Sequence, residues 1–235
     1  MRINDSLPAE GSAIRRLPRT ALTLTPCLPE AVAGAAALYI ADRIREKVGA
    51  FHLALSGGRS PGKMLSALAT LDLPWQRVHV WQVDEREAPD GDVDRNWTMI
   101  QAALGVPAMF HPMPVHEPDG HRRYAWELAA NLGDGGLDLV HLGLGTDGHT
   151  ASIIPGDATL RGPVSWTKLY QGRRRLTLTL PTINRARKRM WLITGVDKTP
   201  MLRRLIAGDG SIPGGLVSRE STAVFTDAMP PLALT

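Results

Sequence analysis

Short apolar runs recur along this chain, and each stops abruptly at glycine or charge. Phe51-His-Leu-Ala-Leu55 ends at Ser56-Gly-Gly58, Val78-His-Val-Trp-Gln-Val83 ends at Asp84-Glu-Arg86, and Leu137-Asp-Leu-Val-His-Leu142 runs into Gly143. Runs of this length and composition read as buried strands. Helical patterns separate them, over 29–48, 61–69, 96–104 and 121–132. Two further strands are expected over 175–180 and 189–194, then a helix over 197–206 and a last strand over 222–225 that leads to Asp227. This alternation predicts an α/β fold, a mainly parallel sheet sandwiched by helices. In such sheets ligands sit beyond the carboxyl ends of the strands. The glycine and charged motifs fall at those ends.

The 235 residues suit one α/β unit, expected over 29–235, behind a loosely packed arm over 1–28 that carries Pro8, Gly11 and Pro18 along with Arg15, Arg16 and Arg19. Cys27 is the only cysteine, which excludes an internal disulfide and a Cys-based zinc site. No apolar run reaches the ~18 residues of a membrane span, and the first residues lack the apolar core of a signal peptide. The expected location is cytoplasmic. A net charge of +4 is compatible with an anionic ligand but decides nothing by itself.

Four motifs can carry chemistry. Ser56, Gly57, Gly58, Arg59 and Ser60 precede Pro61 between a strand and a helix. Glycines let backbone amides approach a ligand, and a helix N-terminus favours phosphate. Taken alone, the motif fits an ordinary βα turn equally well, and it lacks the dinucleotide spacing. Asp84-Glu-Arg86 offers an arginine fork held by a carboxylate, or simply a charged loop. Asn96 is a partner for it, or an ordinary helix N-cap. Lys198, in Thr194-Gly-Val-Asp-Lys198, is a point charge for phosphate or a surface lysine.

The fourth motif is Gly143-Leu-Gly-Thr-Asp-Gly-His149-Thr-Ala-Ser152. A histidine works as a general base near neutral pH. Asp147, two residues before His149, can orient its imidazole, and Gly145 allows close approach. The density of Gly, Asp, His, Thr and Ser after an apolar strand favours the functional reading over a flexible loop. His52, His79 and His141 lie inside expected strands and read as packing residues, whereas His111, His116 and His121 lie in a proline-containing loop region. No two histidines have a metal-ligand spacing, so no metal is expected. From Lys168 to Arg189 there are eight basic residues and no acidic ones. The run lacks the interleaved aromatics of a nucleic-acid surface and reads as a solvated basic edge.

Together and in this order, these segments resemble the 6-phosphogluconolactonase family. The pieces are Ser56–Pro61, Asp84–Arg86 with Asn96, Gly143–Pro155, Arg175-Leu-Thr-Leu-Thr-Leu-Pro181 through Asn184, Gly195–Lys198 and the strand before Asp227, spanning roughly 30 to 228. The resemblance implies a Rossmann-like fold of the glucosamine-6-phosphate isomerase/6-phosphogluconolactonase type. It implies hydrolysis of 6-phospho-D-glucono-1,5-lactone in the pentose phosphate pathway without metal or organic cofactor. It makes His149 the catalytic histidine, Asp147 its acidic companion, and Arg86 and Lys198 the phosphate anchors, aided by the amides of Gly57–Ser60. The expected partner is the small sugar-phosphate lactone, with no nucleic acid and no membrane, for a monomer or homodimer. Two departures stand out: Arg59 and Ser60 replace the family's usual Ser-Thr, and Lys168–Arg175 replaces a proline-rich segment. The rival readings are an amino-sugar-phosphate isomerase or deaminase, whose Gly-His pair is typically followed by Ile-Ala-Phe-Asn-Glu, and a non-catalytic sugar-phosphate sensor.

Overall fold

The computed structural model describes residues 22–229. Its strands are β1 (Thr23–Pro26), β2 (Phe51–Leu55), β3 (Val78–Gln82), β4 (Asp84–Arg86), β5 (Met109–His111), β6 (Leu139–Leu142), β7 (Val164–Trp166), β8 (Arg175–Leu178), β9 (Lys188–Ile193) and β10 (Thr222–Thr226). Its helices are α1 (Val32–Glu46), α2 (Arg59–Ala69), α3 (Asn96–Leu104), α4 (Gly120–Leu132), α5 (Leu180–Arg185) and α6 (Thr199–Ala207). Seven strands form a parallel sheet in the order β1-β10-β9-β6-β2-β3-β5.

Alternate residues of each central strand enter opposite cores, as the pleat requires. Phe51, Leu53 and Leu55 of β2 and Met190 and Leu192 of β9 join the core beneath α1 and α2. Ala54, Trp191 and Ile193 join the other core, which holds Tyr124 and Leu128 of α4 and Leu202 and Leu205 of α6. Trp81 and Trp191 are the largest fully buried side chains. Each buries enough apolar surface to contribute about 3 kcal/mol.

The order of the parallel sheet places the site. From β2 the chain moves outward through β3 to β5, and from β6 it moves the other way through β9 to β10. The direction reverses between the neighbours β2 and β6. Loops leaving two such strands diverge and leave a crevice at the carboxyl end of the sheet. Those loops are Ser56–Gly58 and the segment from Gly143 to His149.

A second sheet was not expected. β4, β8 and β7 form a three-stranded antiparallel sheet beside the large one. The run expected as a strand over 175–180 belongs here, and it stops at Leu178 because α5 begins at Leu180, with Pro181 in its first turn. β1 and β5 were also unexpected. Of the arm expected over 1–28, residues 1–21 lie outside the described residues, while Thr23–Pro26 pair in register with β10. The sheet therefore begins before the expected boundary at residue 29. Pro26 is tolerated because β1 is an edge strand.

His111 lies in β5 and closes a ladder of rings with His79 and His52 on the neighbouring strands. The His79 Nδ1 and His111 Nε2 atoms are 3.0 Å apart. The His52 and His79 rings are 4.5 Å apart, and Trp81 stacks on His111 at 3.7 Å. No described helix is long and apolar enough to cross a membrane.

Candidate active site

His149 and Asp147 sit on the loop after β6. The imidazole Nδ1 lies 2.6 Å from Asp147 Oδ1, and the His149 backbone N–H donates to the same oxygen at 3.1 Å. A proton on Nδ1, shared with the carboxylate, leaves Nε2 as the free acceptor. Partial burial pushes the Asp147 carboxyl upward. The hydrogen bonds from the His149 backbone and ring outweigh that push and hold it below the usual carboxylate range. Gly145 makes room for this pair. A Cβ there would land on the His149 ring and within 2.5 Å of Asp147 Oδ1, so the glycine is required by space, and the loop closes through Gly145 N–H to His149 O at 2.8 Å.

The crevice at the reversal point is a cleft of about 220 Å³. Ser56, Gly57, Gly58, Asp84, Arg86, Asn96, Gly145, His149 and Lys198 line it, all anticipated from sequence. Asp147 stands behind His149. Arg59 and Ser60 do not line the cleft. Arg59 is exposed, and the Ser60 hydroxyl lies 2.5 Å from that of Thr194. The Ser56 loop is pinned across the reversal to β6, since its N–H donates to His141 Nδ1 at 3.3 Å and its hydroxyl to His141 O at 2.9 Å. Full burial drives the His141 pKa down to about 3, which keeps the ring neutral and able to accept.

Asn96 is no N-cap. Its side chain donates to Asp84 O at 2.9 Å, and a Cβ on Gly57 would collide with it. The buried Glu85 carboxylate does the capping, accepting the N–H groups of Asn96 and Trp97 at 2.8 Å each. Glu85 also pairs with the buried Arg95 at 3.0 Å. A carboxylate at a helix N-terminus suits the dipole. Beside it, Asp84 is buried and accepts from the Ser152 hydroxyl at 2.6 Å. Burial raises its pKa, against the opposing pull of Ser152 and Arg175.

Arg175 is the charged cleft residue that the sequence did not reveal. It was expected on a solvated basic edge, yet it is only 7% exposed and lines the cleft. Burial lowers its pKa, with Asp84 opposing. Its Nη2 donates to Gln171 Oε1 at 3.1 Å, while Nε is buried without a partner among the described residues. The rest of the basic run is dispersed. Arg174 pairs with Glu87, Arg173 reaches Asp92 and Asp94, and Arg189 is buried. Among the described residues no cluster of three or more His, Cys, Asp or Glu side chains is arranged to hold a metal.

The cleft therefore combines a carboxylate-oriented imidazole with two arginines and a lysine. That combination can bind a small dianion and activate a water or hydroxyl next to it. A family model described as glucosamine-6-phosphate isomerases/6-phosphogluconolactonase matches residues 28–226. The chain is 42% identical over 174 residues to the human GDH/6PGL endoplasmic bifunctional protein, covering 66% of this chain and 22% of that one. The chain thus spans less than a quarter of that relative's length. It is 37% identical over 170 residues to the 6-phosphogluconolactonase of Synechocystis sp., covering 66% of this chain and 71% of the relative. The solved 6-phosphogluconolactonase from Thermotoga maritima matches with a TM-score of 0.78 at 25% identity, covering 87% of this chain and 98% of that one.

Proposed function

The chain belongs to the glucosamine-6-phosphate isomerase and 6-phosphogluconolactonase family, and within it we infer that this member hydrolyses 6-phospho-D-glucono-1,5-lactone to 6-phosphogluconate. The observation that carries the reading is the 2.6 Å Asp147–His149 pair in a cleft shared with Arg86, Arg175 and Lys198. The curated relatives of this chain include several named 6-phosphogluconolactonase, which favours the lactonase over the isomerase branch.

In this reading the three cations and the free amides of the glycine turn hold the 6-phosphate. Arginine forks suit phosphate oxygens, and binding the phosphate places the lactone carbonyl beside His149. Positioning of this kind lowers the barrier by several kcal/mol. His149 Nε2 takes a proton from water as its oxygen bonds to C1. The C=O π pair moves onto the carbonyl oxygen, and donors in the cleft stabilise the resulting oxyanion. When that pair returns, the C1–O5 bond breaks and His149 delivers its proton to O5. Asp147 keeps the ring in the productive tautomer throughout, as the carboxylate of a Ser-His-Asp triad does.

Hydrolysis of the lactone with and without its 6-phosphate, by the intact protein and by His149→Ala, tests the reading. The intact protein accelerates the phosphorylated substrate and the variant does not. Ammonia release from glucosamine 6-phosphate would instead place the protein on the isomerase branch.

A further inference from the structure

We propose that Tyr170 is a positioning residue for this reaction, holding the second oxygen of Asp147 while its ring face carries Arg175. The proposal rests on the reading of His149 as the base. It joins the anion-binding wall and the base into one unit.

Tyr170 sits at the tip of a tight hairpin that extends β7 and β8. Its N–H donates to Arg173 O at 3.0 Å, and the Arg173 N–H returns to Tyr170 O at 3.3 Å. The two turn residues, Gln171 and Gly172, have φ of 52° and 78°. Two left-handed residues in a two-residue loop are the geometry that matches strand twist. The Thr167 N–H donates to Arg175 O at 2.9 Å and ties the base of the hairpin to the small sheet. The phenol is therefore presented from an ordered support.

Three contacts converge on it. The Tyr170 hydroxyl faces Asp147 Oδ2 at 3.5 Å. The ring meets the His149 imidazole edge-on, with centroids 6.1 Å apart at 66°. The Arg175 guanidinium lies 5.0 Å from the ring centroid, over its face. Both donors of His149 converge on Asp147 Oδ1. A carboxylate held at one oxygen can rotate about that contact, and a second hold on Oδ2 stops the rotation. The 3.5 Å separation is at the long limit of a hydrogen bond. Bonds of this kind commonly tighten once substrate fills the site. A cation over an aromatic face is attracted to it, so the ring also fixes the height of Arg175 in the cleft.

The test is steady-state lactone hydrolysis by the intact protein, Tyr170→Phe, Tyr170→Ala, Asp147→Asn and the Asp147→Asn/Tyr170→Phe double variant, with His149→Ala as reference and unfolding midpoints on the same samples. Tyr170→Phe keeps the ring and loses only the hydroxyl. Its kcat is expected to fall about fivefold with KM within about twofold, about 1 kcal/mol, because at 3.5 Å this contact is worth no more than an ordinary neutral hydrogen bond. On the Asp147→Asn background the same change should add nothing. Tyr170→Ala also removes the support beneath Arg175, so KM rises too. An unchanged kcat in Tyr170→Phe, a full further loss in the double variant, or a loss that merely follows a lowered unfolding midpoint overturns the proposal. If His149→Ala is inactive while Tyr170→Phe is normal, the proposal falls and the lactonase reading stands. If His149→Ala turns over normally, both fall.

Discussion

Arg86 and Arg175 are directly opposite one another across β4 and β8, and both line the cleft. Like charges in that relation repel. The protein answers part of the repulsion, through Asp94, whose carbonyl accepts from Arg86 at 2.8 Å and whose carboxylate lies 3.9 Å from it, through Gln171 against Arg175, and through the buried Asp84 carboxylate that acts on both. On the proposed reading an incoming dianion would complete the neutralisation. Arg175→Leu should therefore raise KM for the phosphorylated lactone about 10- to 100-fold, the range for a lost charge-assisted contact, with a smaller effect on kcat. Turnover of the unphosphorylated lactone should not change. Inorganic phosphate should also raise the unfolding midpoint of the intact protein more than that of the variant. Equal losses on both substrates would remove Arg175 from the phosphate site.

Gly145→Ala tests the packing of the base. The added methyl overlaps the Asp147–His149 pair, and the strands that carry the loop have no reason to move. Displacing a base by about 1 Å can cost about 100-fold in rate. The expected result is a loss of kcat of at least about tenfold with an unaltered circular dichroism spectrum.

Glu85 both caps α3 and pairs with buried Arg95. Removing one partner of a buried pair typically costs about 3–5 kcal/mol. Glu85→Gln should lower stability in urea by about that amount. KM should rise as well, because α3 carries Asn96, and Asn96 braces the glycine turn.

The histidine ladder makes the fold sensitive to acid. Burial lowers the pKa of His52 and of His111 to about 4, with mutual repulsion through His79 adding to it, and burial also lowers His79. In the unfolded chain these rings bind protons near pH ~6.5. Between that value and about 4 the unfolded state holds more protons, so stability falls as pH drops through this window. Solvent screening at the partly accessible His79 and His111 rings reduces the effect, leaving a loss on the order of 3 kcal/mol by pH ~4. Urea titrations from pH 7 to 4 measure it, and His79→Gln should flatten the slope.

The large sheet was readable because its central strands are apolar runs with clear stops. The reading faltered where elements are short or depend on distant partners. β5 has three residues between Pro107 and Pro112. β4 follows β3 after Val83 alone, so an apolar run continues into a strand of a different sheet with no turn signal between them. Arg175 shows the same limit at the site. A charge on an alternating strand reads as solvent-facing, and only pairing with β4 turns it into the cleft. Asp147, His149 and Gly145 were legible because their spacing is local and their loop leaves a strand that the sequence marks clearly.

Ser56 and His141 are 85 positions apart in the chain, and their hydrogen bonds close the reversal between β2 and β6. A growing chain that ends before β6 already owns the glycine turn, Arg86 and Asn96, yet it has nothing opposite them. On the proposed reading, ligand affinity therefore requires the second half of the sheet to have docked onto the first. Phosphate binding during refolding would serve as a clock for that event, silent through early strand and helix formation and rising only as the two halves meet.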